Sequence, residues 1–172
     1  MLFRSIVPLG SVTLLAASGG TGKTSLMYNW AMGVATGTPW SKRRCMKGKC
    51  LLISADEPLS DTKEKLAIIG YKDAGIEAGM VSFWETWRFA HIQQLEHFVR
   101  KNRPLFIVID SLTACFAGMN IDLIKSNAGD SLYALRDLAN NYQCSIVILH
   151  HLNRQGGLRD SSSFVDNVSE VV

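Results

Sequence analysis

Ser11-Val12-Thr13-Leu14-Leu15-Ala16-Ala17-Ser18-Gly19-Gly20-Thr21-Gly22-Lys23-Thr24 decides the fold. An apolar run that breaks into closely spaced glycines predicts a buried strand over Ser11 to Ala17 and a loop after it. Lys23 to Thr36 then carries Leu26, Trp30 and Val34 at helical spacing, so strand, loop and helix follow one another. The pattern repeats downstream. A second buried strand is expected over Lys49 to Ala55, closed by Asp56-Glu57-Pro58, with a helix over Ser60 to Ile69. Val81 to Trp84 reads as a third strand and His91 to Asn102 as a helix. Leu105 to Ile109 is a wholly apolar fourth strand stopped by Asp110. Leu132, Leu135, Leu138 and Tyr142 place a helix over Asn127 to Gln143, before a fifth strand, Ser145 to Leu149, that runs into His150-His151. Strands alternating with helices predict an α/β domain, a mainly parallel sheet flanked by helices on both faces. Its ligand site should lie at the carboxyl ends of the strands.

The chain of 172 residues fits one domain, 1–172, and its apolar fraction of 47% against 19% charged residues suits a packed core rather than disorder. A formal charge of +3 is silent on partners. Cys45, Cys50, Cys115 and Cys144 lack C-x-x-C spacing, which points to a reducing, cytoplasmic setting. The sequence has neither a membrane-length apolar run nor a signal-peptide layout.

The chemistry is concentrated in the loop. Gly19, Gly20 and Gly22 allow successive backbone N–H groups to turn toward phosphate oxygens, at the positive end of the following helix. Lys23 is placed to reach the β and γ phosphates of ATP, and Thr24 to put a hydroxyl on Mg2+. Ser18, Gly19, Gly20, Thr21, Gly22, Lys23, Thr24 and Ser25 form the candidate nucleotide-binding set. The motif G-x-x-x-x-G-K-[ST] has Ala17 at its first glycine position, a departure that is tolerated where no positive φ is needed. Asp110, at the end of its apolar strand, is the candidate second magnesium group, acting through a bound water. Because Ser111 follows it instead of a glutamate, the water-orienting carboxylate must come from elsewhere. Asp56 and Glu57 are both candidates, on a strand expected to lie beside that of Asp110.

Taken together, A-S-G-G-T-G-K-T, S-A-D-E-P, I-V-I-D-S-L and I-V-I-L-H-H-L-N-R make nearly the whole chain resemble the RecA/DnaB-like ATPases, most closely the RepA-like replicative helicases of plasmids and phages. The resemblance implies a RecA-like P-loop core that hydrolyses ATP with Mg2+. In that family the acidic pair usually reads E-D-P. Here it is reversed, so an ungapped match selects Asp56 and a slight bulge selects Glu57. The pair His150 and His151 resembles the family's polar sensor of the γ-phosphate. The segment from Asn153 to Ser163 resembles the loop that faces the channel of ring helicases, with Arg154 and Arg159 as candidate contacts to single-stranded DNA.

These likenesses imply a homo-oligomeric ring working on single-stranded DNA as a replicative motor, alone or joined to a primase. Two alternatives accompany it: a recombination-mediator or KaiC-like regulatory ATPase, and a nucleotide-binding scaffold with little turnover. Val168-Ser169-Glu170-Val171-Val172 reads as the start of a further strand, and the resemblance implies a longer protein that continues past it. The basic run Lys42, Arg43, Arg44, Lys47 and Lys49 is expected at the edge away from the nucleotide, and Trp84, Trp87 and Phe89 are expected in the core or at an interface.

Overall fold

The structure, a computed structural model, describes residues 7–55, 57–116, 127–152 and 170–171. Six strands form one sheet, β1 (Ser11–Ala17), β2 (Cys50–Ser54), β3 (Val81–Glu85), β4 (Phe106–Asp110), β5 (Ser145–His151) and β6 (Glu170–Val171). Their spatial order is β3-β2-β4-β5-β1-β6, and every pairing is parallel. The sequence foresaw five of these strands and the start of the sixth. Among the first five strands the largest boundary difference is at β5, which runs on through both histidines because β1 pairs with it out to Ala17↔His151.

Helices α1 (Lys23–Thr36), α2 (Leu59–Ile68), α3 (Ile92–Asn102), α4 (Leu112–Cys115) and α5 (Asn127–Tyr142) cover the two faces. Side chains alternate along each strand, so the sheet divides its apolar residues between two cores. On one face Val12, Leu14, Ile53, Ile109, Ile146 and Ile148 pack with Leu95 and Val99 of α3 and Leu132, Leu135 and Ala139 of α5. On the other, Leu15, Leu52, Val108, Val147 and Leu149 pack with Met27, Ala31 and Val34 of α1 and Leu66 of α2. Burial on both faces is what makes β4 apolar at every position from Phe106 to Ile109.

Three features position the site. The loop before α1 ends at Gly22, which caps the helix with φ 86°, a conformation that a side chain disfavours. Strand β5 lies between β1 and β4, so the phosphate-loop strand and the Asp110 strand flank it. Strand β2 pairs with β4 in the register Ser54↔Asp110, which brings the acidic turn after β2 beside Asp110, as expected. The basic run precedes β2, at the opposite end of the strands, where Gly48 donates to the Val34 carbonyl near the end of α1. Trp87 and Phe89 are core residues, while Trp84 is half-buried and meets the Phe98 ring edge-on.

Candidate nucleotide site

The carboxyl ends of β1, β2, β4 and β5 surround a cleft of about 330 Å³. Gly20, Thr21, Gly22, Lys23, Thr24, Ser25, Glu57, Lys65, Asp110 and His151 line it. A larger cleft, of about 710 Å³, lies between β3 and α3 and contains none of these residues.

The loop is shaped by its glycines and by its own carbonyls. Gly20 has φ 76° and Gly22 φ 86°, and a Cβ added at Gly19, Gly20 or Gly22 would meet nothing within 4 Å, so the loop presents bare backbone to open space. That is the cradle a phosphate needs. Ala17 belongs to β1 and is not among the positive-φ residues, so its side chain costs the loop nothing. The Lys23 ammonium turns back and donates to the carbonyls of Ala17 at 2.7 Å and Ser18 at 2.8 Å; the Thr21 hydroxyl donates to the same Ser18 carbonyl at 2.9 Å. Burial pulls Lys23 below its usual 10.5, against the opposing pull of the Asp110 charge.

The magnesium candidates meet directly. The Thr24 hydroxyl, in the first turn of α1, donates to Asp110 Oδ2 at 2.7 Å, joining the loop to the end of β4. A hydroxyl and a carboxylate side by side are hard oxygen donors, and Mg2+ takes such ligands with waters and phosphates completing its shell. The residues therefore fit the ion: Thr24 and Asp110 would hold it, and it would neutralise charge on the phosphates when bound.

The acidic turn contributes Glu57, whose carboxylate is ion-paired with Lys65 of α2 through both oxygens. Asp56 lies outside the described residues. Thr62, Lys65 and Leu66 are three and four residues apart and so share one side of α2. Thr62 and Leu66 are buried, which turns the lysine toward the cleft. Burial lowers the affinity of Lys65 for its proton, but the hydrogen bond and charge of Glu57, aided by Tyr28 and Asp110, outweigh it and hold the ammonium above its usual range. With both side chains about one-third exposed, such a pair contributes about 0–1 kcal/mol. Sequence reasoning missed Lys65. The available signal was its place one residue before an inward-facing leucine on the helix after the acidic turn.

The two histidines separate. His150 is fully buried and its strand position continues the alternation of Ile146 and Ile148, away from the loop. His151 continues that of Val147 and Leu149, is half-buried, and lines the cleft. Arg154 and Arg159 lie outside the described residues. Among the described residues, no three His, Cys, Asp or Glu side chains converge as a metal-binding group, and no helix is long and apolar enough to cross a membrane.

No curated protein matches the chain. A family model described as an AAA domain matches residues 1–157, nearly the whole length. The cleft brings together the candidate phosphate loop with its lysine, a hydroxyl beside a strand-end carboxylate, and further polar groups from the adjacent strands. The chain therefore belongs to the AAA domain family, whose members are nucleotide-hydrolysing P-loop ATPases.

Proposed function

We propose that this chain is the ATP-hydrolysing motor domain of a RepA-like replicative DNA helicase, using Mg2+ and working as a ring on single-stranded DNA. The observation that carries the reading is the convergence of Lys23, the Thr24–Asp110 pair, Glu57 and His151 on one cleft, with the histidine's strand between the other two. A polar side chain there is placed to sense the terminal phosphate and to pass its state to the segment after β5, which contains Arg154 and Arg159.

The roles follow from the chemistry of phosphoryl transfer to water, in which positioning and charge stabilisation dominate. The loop amides and Lys23 bind the phosphates, and Thr24 and Asp110 hold the ion. Glu57, or Asp56 beside it, orients a water and takes its proton. The water oxygen forms the new bond to the γ-phosphorus, the bond from that phosphorus to the bridging oxygen breaks, and the electron pair leaves with ADP. The carboxylate then returns its proton to the phosphate or to solvent.

The test is the steady-state ATPase rate of the full-length protein with and without single-stranded DNA, together with a strand-displacement assay. Stimulation with unwinding supports the motor. Equal rates, with no assembly and no unwinding, refute the helicase. Lys23→Ala should abolish nucleotide binding, and Asp110→Asn should lower magnesium-dependent turnover; normal activity in both would remove the site assignment. The Lys65–Glu57 pair, which engages one candidate base, favours a second reading, a regulatory ATPase of the recombination-mediator or KaiC-like kind. Nucleotide-dependent assembly without unwinding would select it.

A further inference from the structure

We propose that Lys65 contacts the terminal phosphate of a nucleoside triphosphate from within the same chain, and that in doing so it surrenders Glu57. The inference rests on the ATPase reading of the cleft and adds to it a residue that distinguishes triphosphate from diphosphate.

Lys65 comes from α2, yet it lines the same cleft as the phosphate loop, Asp110 and His151. Its position is fixed from behind. Thr62 and Leu66 are buried on the adjoining positions of the helix, and the Tyr28 hydroxyl approaches Thr62 Oγ1 at 3.4 Å, which ties α2 to α1. The backbone is thereby anchored while the four-carbon stem of the lysine is free to swing.

Charge decides the exchange of partners. Among the described residues the cleft is lined by two lysines and two carboxylates, and each lysine is already engaged. Lys23 is bonded to the carbonyls of its own loop and Lys65 to Glu57. A terminal phosphate carries about two negative charges, against one on Glu57, and offers three acceptor oxygens. An ammonium within reach of both goes to the phosphate. Glu57 then loses its partner at the moment when a carboxylate is needed to orient water. A diphosphate brings no terminal group into that part of the cleft and leaves the pair intact. The reversed order of the acidic pair puts the longer glutamate side chain at position 57, where it meets the lysine.

The experiment compares ATP and ADP affinities, by calorimetry, with single-turnover hydrolysis in the full-length protein. Lys65→Met should weaken ATP about tenfold and ADP hardly at all, the loss expected for one charge-assisted hydrogen bond. Hydrolysis should fall with it, and Lys65→Arg should restore the preference for ATP. Glu57→Gln should act in the opposite direction on binding, raising ATP affinity about two- to fivefold by removing the competitor. That gain should vanish in the double variant Lys65→Met with Glu57→Gln. An unchanged ATP-to-ADP ratio in Lys65→Met, with or without a loss of rate, would overturn the proposal and leave Lys65 a support for Glu57. So would an equal loss for both nucleotides. If Lys65→Met does not fold, the Glu57→Gln gain and the Lys65→Arg preference decide the matter, and absence of the gain overturns it. Failure of the wild type to bind ATP, or binding unaffected by Lys23→Ala, would instead overturn the ATPase reading.

Discussion

Replacing Gly19 and Gly22 in turn by alanine should have opposite effects on stability, although the two lie in the same loop. At Gly22 the backbone has φ 86°, ψ 15°, and an added Cβ would meet nothing within 4 Å, so the cost of alanine is purely conformational. The left-handed region costs an L-residue about 1–2 kcal/mol. Alanine also narrows the unfolded ensemble, which returns about 0.4–1 kcal/mol. The net loss is about 0–1.6 kcal/mol, centred near 0.8, and for a chain of this size each kcal/mol moves Tm by about 2–4 °C. Gly22→Ala should therefore melt up to about 6 °C below wild type. At Gly19 the added Cβ again meets nothing, but φ lies outside the left-handed range, so only the unfolded-state term remains. Gly19→Ala should melt at or slightly above wild type. Differential scanning calorimetry without nucleotide, checked by urea unfolding, reads both. A loss at Gly19 equal to or larger than that at Gly22 would refute the reasoning, because it would require a clash that the open loop does not contain.

The neighbouring histidines should behave as differently. His150→Ala removes a fully buried side chain and should lower the urea midpoint, whereas His151→Ala should leave stability close to wild type and alter ATP affinity; the reverse would place the wrong imidazole in the cleft. Leu95→Ala removes a fully buried anchor of α3 and should cost about 2–5 kcal/mol in equilibrium unfolding. Burial raises the Cys45 thiol from 9.0 to about 11 and that of Cys144 to about 12, and pushes Cys50 up further still. Native protein should accordingly resist iodoacetamide at pH 8, with the half-buried Cys45 modified before Cys50 and Cys144 by mass spectrometry. Because these folded values lie above the unfolded ones, their stabilisation is fully present below pH 9 and is lost as pH rises toward 12, so Tm should fall over that alkaline interval.

Much of this was legible in the sequence because its strongest signals are local. The glycines before Lys23 announce both a loop and its ligand, and the unbroken apolar run before Asp110 announces a strand covered on two faces. Strand neighbours are less local, yet the expectation that the acidic turn would lie beside Asp110 agrees with the register Ser54↔Asp110. Which histidine faces the cleft was not legible: adjacent strand residues point oppositely, and parity is set only once β5 is aligned against β1. Lys65 was hidden for a different reason. Its partner is eight positions away in sequence, across a turn whose direction depends on how α2 settles on Tyr28 and β2.

The register of the sheet also gives its carboxyl edge a terrace. Strands β4 and β5 match Ile109 to Ile148, so Asp110 stands level with Leu149, while β5 and β1 continue together to His151 and Ala17. The ledge above Asp110 is two residues tall, about 7 Å. Register sets side-chain direction on such a ledge, because a slip of one residue turns every side chain to the other face. Deleting His150 would place His151 in the position and direction now held by His150 and bring Leu152, whose N–H already donates to the Ala17 carbonyl, to the position that faces the cleft. The cleft would then keep the height of its wall and lose its imidazole, whereas insertions on the far side of the sheet would leave both untouched.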